Sequence, residues 1–359
     1  MGRQDHVQAF RSPGPPLHQR FARRAARQRR GGPVLELPLP VRRPDAHLRR
    51  HQAVAADAGK PTVTVSGVSA GAAMAHQLHI AYPELLDGAA IIAGAPFGCA
   101  EGNIATALGR CMGTDAAPEL EPLLEAARAA AADGRLGPAS DLAGDRVWLF
   151  HGARDTVVSA AVHGAVASFY RAYAPGVELV EEFRPETGHV FPTLRDGGEC
   201  SALTAPFIGA CGYDAAGELL RFLYDGLEAP SGTPGQTGDS GVAAVAEAVV
   251  LADAEGAGLL PEAFVYRPAR CADGGCPVHL VLHGCGQSTA QIGRQFIEQS
   301  GYLPWARANG LVLAFPQVAP SPLNPLACWD WWGYTGPGYR WRDGKQMDLL
   351  TSWLERLRG

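Results

Sequence analysis

The chain has 359 residues, of which 47% are hydrophobic and 19% charged, a composition typical of a globular core rather than of a disordered or fibrous protein. No apolar run reaches the roughly 18 residues that a membrane-spanning helix needs. The net charge is −5, but residues 1–50 hold 12 basic and three acidic residues, which leaves 19 basic and 33 acidic residues after residue 50. An acidic body of this kind is a poor binder of the nucleic-acid phosphate backbone.

Residues 1–58 differ from the rest of the chain because they show neither a helical nor an alternating apolar period. The stretch RFARRAARQRR at residues 20–30 would suit a basic arm for nucleic acid or for a membrane surface. A secretory signal has an apolar run after its early basic residues, and no such run is present here. The predominance of arginine over lysine also fits a mis-called start or a shifted reading frame in a GC-rich gene. We therefore predict that 1–58 is a disordered or non-native extension and that 59–359 is the folded domain.

From residue 61 onwards, short apolar runs alternate with helical stretches. The strands that this pattern predicts are 62–66, 89–93, 146–150, 178–183, 278–282 and 311–315. The predicted helices are 70–81, 119–132, 160–172, 215–226, 290–309 and 345–358. The alternation predicts a single-domain α/β fold, with a mostly parallel sheet and helices on both faces. Residues 229–241 are rich in Gly, Pro, Ser and Thr, which predicts a flexible loop within that domain.

A candidate nucleophile lies in Gly67-Val68-Ser69-Ala70-Gly71, between the first predicted strand and helix. A sharp strand-to-helix turn raises such a serine above the sheet, and small neighbours relieve crowding. The N-terminus of the helix helps to stabilise developing negative charge. A G-x-S-x-G match is weak evidence in a chain with 44 glycines, and a glycine-rich turn with an incidental serine is the alternative. The strand–turn–helix context favours Ser69 as the nucleophile.

An activated serine needs a base, and the base needs an orienting carboxylate. With this type of elbow, both come from loops after later strands, in the order Ser, acid, His. Asp155 follows the strand that ends near residue 150, and His189 follows the next strand, in a loop marked by Gly188 and Pro192. We predict Asp155 as the acid and His189 as the base. The alternatives are a helix cap or turn residue for Asp155 and a hydrogen-bonded surface histidine for His189.

Acyl transfer also needs two backbone N–H donors for the carbonyl oxygen. The first is expected at Ala70, and the second normally comes from an HG loop that precedes the nucleophile in sequence. The segment VHLVLHGCGQ at 278–287 has this pattern, with Cys285 as the donor, but it follows His189. The parts therefore stand in rotated order. This is the pattern of a circular permutation, which requires the two ends of the folded body to lie close together.

Five segments of the chain together resemble the circularly permuted poly(3-hydroxybutyrate) depolymerases of the esterase type. In chain order they are GVSAGAAMAHQL, HGARDTVV, TGHVFPT, HLVLHGCGQS and CWDWWGY. The resemblance covers about residues 61–359 and implies an α/β-hydrolase fold, a secreted or periplasmic setting and cleavage of short-chain polyhydroxyalkanoate esters. It implies a triad of Ser69, Asp155 and His189, with the N–H groups of Ala70 and Cys285 as the oxyanion hole.

The eight cysteines contain no CxxC pair of the kind that binds zinc. Their spacing suggests three local pairs and one remaining pair: Cys99 with Cys111, Cys200 with Cys211, Cys271 with Cys276, and Cys285 with Cys328. Full pairing would fit an oxidising compartment, although eight cysteines allow 105 arrangements.

The remaining pair would join the HG loop to the aromatic segment Trp329–Tyr334. Three tryptophans and a tyrosine within six residues suit a hydrophobic platform for an ester chain, and ordinary core packing is the alternative. We predict substrate contacts from Trp329, Trp331, Trp332 and Tyr334. The family resemblance favours Trp329 most as a residue that lines the cleft.

These features lead to the hypothesis of a serine esterase that hydrolyses poly(3-hydroxybutyrate) or its oligomers through an acyl-enzyme. A general carboxylesterase, or a hydrolase of aromatic polyesters or feruloyl esters, would use the same catalytic residues. A catalytically inactive binding protein on this fold and a nucleic-acid binder that uses the Arg-rich arm are alternatives of other classes. We expect an extracellular or periplasmic monomer with a polyester or oligoester substrate and without cofactor, metal, nucleic-acid partner or membrane span.

Overall fold

The computed structural model describes residues 61–231 and 246–359. The predicted extension 1–58 and residues 232–241 of the predicted loop lie outside the described residues. The strands are β1 (Val63–Val68), β2 (Gly88–Ile92), β3 (Arg146–Gly152), β4 (Glu178–Arg184), β5 (Phe191–Thr193), β6 (Gly198–Glu199), β7 (Ile208–Ala210), β8 (Glu247–Val250), β9 (Glu262–Tyr266), β10 (Val278–Leu282) and β11 (Val312–Phe315). The helices are α1 (Ala70–Ala81), α2 (Ile104–Arg110), α3 (Glu121–Ala132), α4 (Ala160–Tyr173), α5 (Ala215–Leu223), α6 (Thr289–Ile292), α7 (Gln295–Gln299), α8 (Tyr302–Asn309) and α9 (Lys345–Arg358).

Eight strands form one sheet in the order β4-β3-β2-β1-β10-β11-β9-β8. Strand β1 lies between β2 and β10 and is parallel to both, whereas β9 is antiparallel to β11 and to β8. Strands from both sides of the predicted 229–241 loop therefore share one sheet. A second, three-stranded sheet has the order β5-β7-β6. The predicted α/β class with a mostly parallel sheet is confirmed.

The central strands of the large sheet are buried on both faces, which explains why they are continuous apolar runs rather than alternating ones. On β1, Val63 and Val65 pack into the core of one face, and Val68 packs into the core of the other. Helices α1, α4 and α9 contribute to the first core, and α5 and α8 contribute to the second. The buried face of α9 includes Met347 and Leu350, at the spacing of one helical turn.

The predicted helix 290–309 is wrong, because this segment forms the three short helices α6, α7 and α8. Gly293 and Gly301 have φ values of 60° and 88°, and a right-handed helix cannot continue through that conformation. Strands β5, β6 and β7 were not predicted, because runs of two or three residues carry no detectable period. The edge strand β8 was missed because its exposed side chains give no core-facing pattern.

Four histidines lie buried within the two cores without a carboxylate partner. Burial lowers the pKa of His76, His163 and His279 to about 3, and that of His283 to about 4. Their ordinary value is 6.5, so the folded protein keeps these side chains neutral under conditions in which the unfolded chain would protonate them.

We expect the free energy of unfolding to fall as the pH drops from 7 to 5. Because the folded pKa lies below the unfolded value, the unfolded chain binds more protons in this interval, and each such histidine removes up to about 1.4 kcal/mol of stability per pH unit. Thermal melting at pH 7, 6 and 5 measures the effect. His279→Gln can keep bonds to the Thr64 and Ser66 hydroxyls, so it should reduce the slope by about a quarter. A melting temperature that stays constant over this range would contradict the prediction.

Candidate active site

Ser69 occupies the tight turn between β1 and α1, with a φ of 57° that residues other than glycine rarely adopt. Its two flanking glycines make the turn possible. A Cβ on Gly67 would lie 2.1 Å from the carbonyl oxygen of Gly71, and a Cβ on Gly71 would lie 2.4 Å from the carbonyl oxygen of Leu282. Both contacts are to backbone, which cannot move aside. The G-x-S-x-G pattern thus reflects close packing within this turn, at Gly67, and of the turn against β10, at Gly71.

The structure brings the three predicted side chains Ser69, His189 and Asp155 into one hydrogen-bonded chain. The Nε2 atom of His189 lies 2.8 Å from Ser69 Oγ, and its Nδ1 atom lies 2.7 Å from Asp155 Oδ2. When Nδ1–H donates to the carboxylate, the lone pair of a neutral imidazole on Nε2 faces the serine hydroxyl. The arrangement can therefore accept the proton of Ser69.

Asp155 makes the contacts expected of the predicted acid and also those of the alternative, a turn residue. Its Oδ1 atom accepts the N–H groups of Val157 and Val158, at 2.8 and 2.9 Å, and so shapes the turn before α4, while Oδ2 bonds to His189. Burial alone would raise the pKa of Asp155. The hydrogen bond and charge of His189, together with the two N–H groups, outweigh burial and hold the pKa below its ordinary value. The carboxylate therefore stays ionised when His189 becomes positively charged.

The turn 284–287 follows β10 and faces Ser69 across a cleft. The N–H of Gly284 donates to Gln287 Oε1 at 2.7 Å, that of Gly286 donates to the Leu326 carbonyl at 2.7 Å, and that of Gln287 donates to the Gly284 carbonyl at 3.2 Å. Only the Cys285 N–H of this turn lacks an acceptor among the described residues.

The N–H of Ala70 belongs to the first turn of α1, where no intrahelical acceptor exists. Ala70 and Cys285 both line the cleft beside Ser69. Two free backbone donors thus flank the candidate nucleophile.

All eight cysteines form disulfides, in the pairs expected from their spacing. The bond between Cys285 and Cys328 fastens the turn 284–287 to the segment that precedes the aromatic residues. The bond between Cys200 and Cys211 lies next to the loop of His189, because the carbonyl of Cys200 accepts the N–H of Gly188 at 3.0 Å. Two of the four bonds therefore brace loops that carry the site.

The cleft over Ser69 and His189 has a volume of about 590 Å³ and a mostly apolar lining. Of the four aromatic residues predicted to contact substrate, the structure places Trp331 and Trp332 in the cleft wall and the other two elsewhere.

Trp329 and Tyr334, which were also predicted to contact substrate, do not line this cleft. Trp329 is fully buried against the ring of His283, and the Tyr334 hydroxyl donates to the Cys328 carbonyl at 2.9 Å. Asp330 sets this arrangement, since its carboxylate accepts the N–H groups of the three residues 333–335 and folds the loop into a tight turn.

Sequence analysis missed five large aliphatic side chains that surround the cleft and remain 47–79% exposed. We refer to them as the apolar rim: Ile104, Leu108, Leu203, Leu323 and Leu326. They come from α2, from the segment between β6 and β7 and from the segment after β11. Because these segments are far apart in sequence, no local pattern could have predicted the rim.

Within the described residues, no group of three or more His, Cys, Asp or Glu side chains could hold a metal ion. In the same part of the chain, every helix is too short or too polar to cross a membrane.

No family model matches the chain. It is 34% identical over 302 residues to the poly(3-hydroxybutyrate) depolymerase of Delftia acidovorans, an alignment that covers 83% of this chain and 60% of that protein. It is 29% identical over 314 residues to the polyhydroxybutyrate depolymerase of Talaromyces funiculosus, with 82% and 89% covered. Over more than four fifths of its length, the chain is thus similar to poly(3-hydroxybutyrate) depolymerases. It spans about three fifths of the length of the Delftia depolymerase.

Solved structures of PHB depolymerases share the fold. The crystal structure of the enzyme from Penicillium funiculosum has a TM-score of 0.74 and 28% sequence identity, and the match covers 84% of this chain and 96% of that one. A serine-to-alanine variant of a PHB depolymerase in complex with an R3HB trimer matches with the same values.

Proposed function

We propose that this chain is a serine esterase that hydrolyses poly(3-hydroxybutyrate) or its oligomers. The observation that carries the proposal is the hydrogen-bonded chain from Asp155 through His189 to Ser69 at an apolar cleft, in a chain similar to known depolymerases. The name of the family and the trimer bound to a solved relative support the choice of substrate.

In the proposed reaction, His189 Nε2 takes the proton of Ser69 as Oγ attacks the ester carbonyl carbon. The N–H groups of Ala70 and Cys285 donate to the oxygen that becomes negative. His189 then passes its proton to the departing alkoxide, and an acyl-enzyme ester on Ser69 remains. A water molecule attacks this ester with His189 again as the base, which releases the acid and restores the serine. Asp155 remains ionised and stabilises the imidazolium in both steps.

The apolar rim favours a polymeric or oligomeric aliphatic ester over a small polar one. Five aliphatic side chains that remain in water around one cleft form a patch of the kind that marks a binding surface. Trp331 and Trp332 offer flat apolar walls inside the cleft for the methyl-bearing backbone of the polyester. A general carboxylesterase for small soluble esters would need the same triad but no exposed aliphatic rim.

The proposed function predicts that Leu323→Ser lowers the hydrolysis of a poly(3-hydroxybutyrate) film about tenfold, because it removes one apolar contact with the polymer. Hydrolysis of a soluble nitrophenyl butyrate should fall much less. Val250→Ser is the matched control: Val250 is also exposed, at 86%, but lies on β8 outside the cleft, and both activities should keep their wild-type values. Wild-type protein that hydrolyses the nitrophenyl ester but neither the film nor a hydroxybutyrate trimer would contradict the substrate and favour a general carboxylesterase.

We further infer that the chain is circularly permuted. The sheet places β10, which carries the turn 284–287, directly beside the much earlier β1. The two ends of the described body also lie close together, because Asp87 interacts with both. Its carboxylate accepts the N–H of Val63 at 2.7 Å. Burial raises the pKa of Asp87, and the nearby charge of Arg358 opposes this rise. Such proximity is what a permutation requires.

The four disulfides support an extracellular or periplasmic setting, since such bonds persist in oxidising compartments. A monomer remains our expectation for the oligomeric state.

A further inference from the structure

The side chain of Gln287 is 2% exposed and uses its amide oxygen and both amide hydrogens. Its Oε1 atom accepts the N–H of Gly284 at 2.7 Å, and its Nε2 atom donates to the carbonyls of Pro206 and Phe207, each at 3.0 Å. Gln287 therefore connects the turn 284–287 with the backbone at residues 206–207, which is distant in sequence.

The second connection leads to the base. The carbonyl of Phe207 also accepts the N–H of Phe191 at 2.9 Å, and Phe191 begins β5, two residues after His189. The ring of Phe207 lies against the turn as well, because a Cβ on Gly286 would lie 2.8 Å from it. One buried amide thus joins the segment that carries His189 to the turn that carries Cys285.

The Gln287 amide holds the N–H of Gly284 and so restrains the residue whose carbonyl begins the peptide unit of the Cys285 N–H. The carbonyl of that unit belongs to Gly284, and it accepts the backbone N–H of Gln287 at 3.2 Å and His283 Nδ1–H at 2.8 Å. In a trans peptide the N–H points away from the carbonyl, so these bonds determine the direction of the Cys285 N–H. The disulfide at Cys285 restrains the turn through the side chain, so the direction of the peptide plane depends on these bonds as well.

We propose that Gln287 is a positioning residue that holds the Cys285 N–H, and its distance to His189, in the geometry needed for acyl transfer. The inference rests on the proposed function, because it assigns a task within the same site. An oxyanion donor contributes to the rate only when it is already oriented before negative charge develops. Loss of the Gln287 amide would leave the Gly284 N–H and the Pro206 carbonyl without a partner and would remove one of the two donors to the Phe207 carbonyl, and the turn would relax to satisfy these groups.

Gln287→Met tests the role, because methionine has a similar length and volume but no amide. We expect kcat for nitrophenyl butyrate to fall about 10- to 50-fold, less than the 10²–10³ for outright loss of a donor, while KM changes less than threefold. The inhibition constant of an alkyl trifluoromethyl ketone, which forms an oxyanion on the serine, should rise by a similar factor. Gln317→Met is the matched control: Gln317 is equally buried, and its Oε1 accepts the N–H of Thr289 at 2.9 Å, but its side chain makes no bond to the turn. It should lower the melting temperature comparably and leave kcat and ketone affinity within twofold.

Gln287→Glu provides a second variant in case Gln287→Met does not fold. It keeps the acceptor for the Gly284 N–H, but a carboxylate oxygen would face the two carbonyls in place of a donor, so kcat should fall at least as far as in Gln287→Met. A folded Gln287 variant with wild-type kcat and ketone affinity, or equal losses in Gln317→Met, would overturn the positioning role while the esterase activity of the wild type still stands. Wild-type protein without esterase activity would instead refute the proposed function, and the positioning role with it.

Discussion

Ser69→Ala is expected to lower kcat for ester hydrolysis by a factor of about 10⁴–10⁶. The substitution removes the oxygen that attacks the ester and one hydrogen bond, to His189 Nε2, but little volume. The melting temperature should therefore stay close to that of the wild type. Initial rates on nitrophenyl butyrate, with protein from which contaminating esterases have been removed, measure the loss.

Ser66→Ala provides the matched control from the same strand. Its hydroxyl is buried and bonds to His279 and to Tyr302 rather than to the candidate site. It should lower the melting temperature and leave kcat almost unchanged. Activity of Ser69→Ala within tenfold of the wild type would contradict the assignment of the nucleophile.

Covalent labelling separates the esterase from an inactive binding protein on the same fold. An alkyl phosphonate should modify the wild type at Ser69 alone, as measured by peptide mass, and should leave Ser69→Ala unmodified. The double variant Ser69→Ala/His189→Ala should be no slower than either single variant, because the members of a triad act as a unit. A wild type that is neither active nor labelled would favour a binding protein.

The elements around Ser69 could be predicted from sequence because their determinants are local. An apolar strand, a turn of small residues and a helix follow one another within residues 63–81, and the two glycines of the motif are required by backbone contacts below 3 Å. Asp155 and His189 follow from topology, since parallel strands bring their carboxyl ends to the same sheet edge.

Features that depend on tertiary contacts could not be predicted in this way. Asp330 folds the aromatic loop through three backbone bonds, and so decides that Trp331 rather than Trp329 faces the cleft. Composition showed only that the segment is aromatic. Gln287 is one of several glutamines in the chain, and nothing in its local sequence indicates that it reaches residues 206–207.

Removal of the Cys285–Cys328 disulfide in Cys285→Ser/Cys328→Ser is expected to lower both stability and turnover. The two cysteines are 43 residues apart, and the chain-entropy model gives about 3–4 kcal/mol for a closed loop of that order. Serine keeps the N–H at position 285, so any loss of turnover comes from positioning and not from a missing donor. We expect kcat to fall about 10²-fold, toward the effect of a misplaced oxyanion donor.

Cys271→Ser/Cys276→Ser separates the general effect of losing a disulfide from the effect on the site. This bond closes a loop with a sequence separation of only five, and neither cysteine lines the cleft. It should cost less stability and leave kcat within twofold. Rates must be measured well below both melting temperatures, so that each variant is fully folded during the assay. If Cys285→Ser/Cys328→Ser then kept the wild-type kcat, the turn would be held by Gln287 and by the bond from Gly286 to the Leu326 carbonyl, and the disulfide would serve stability alone.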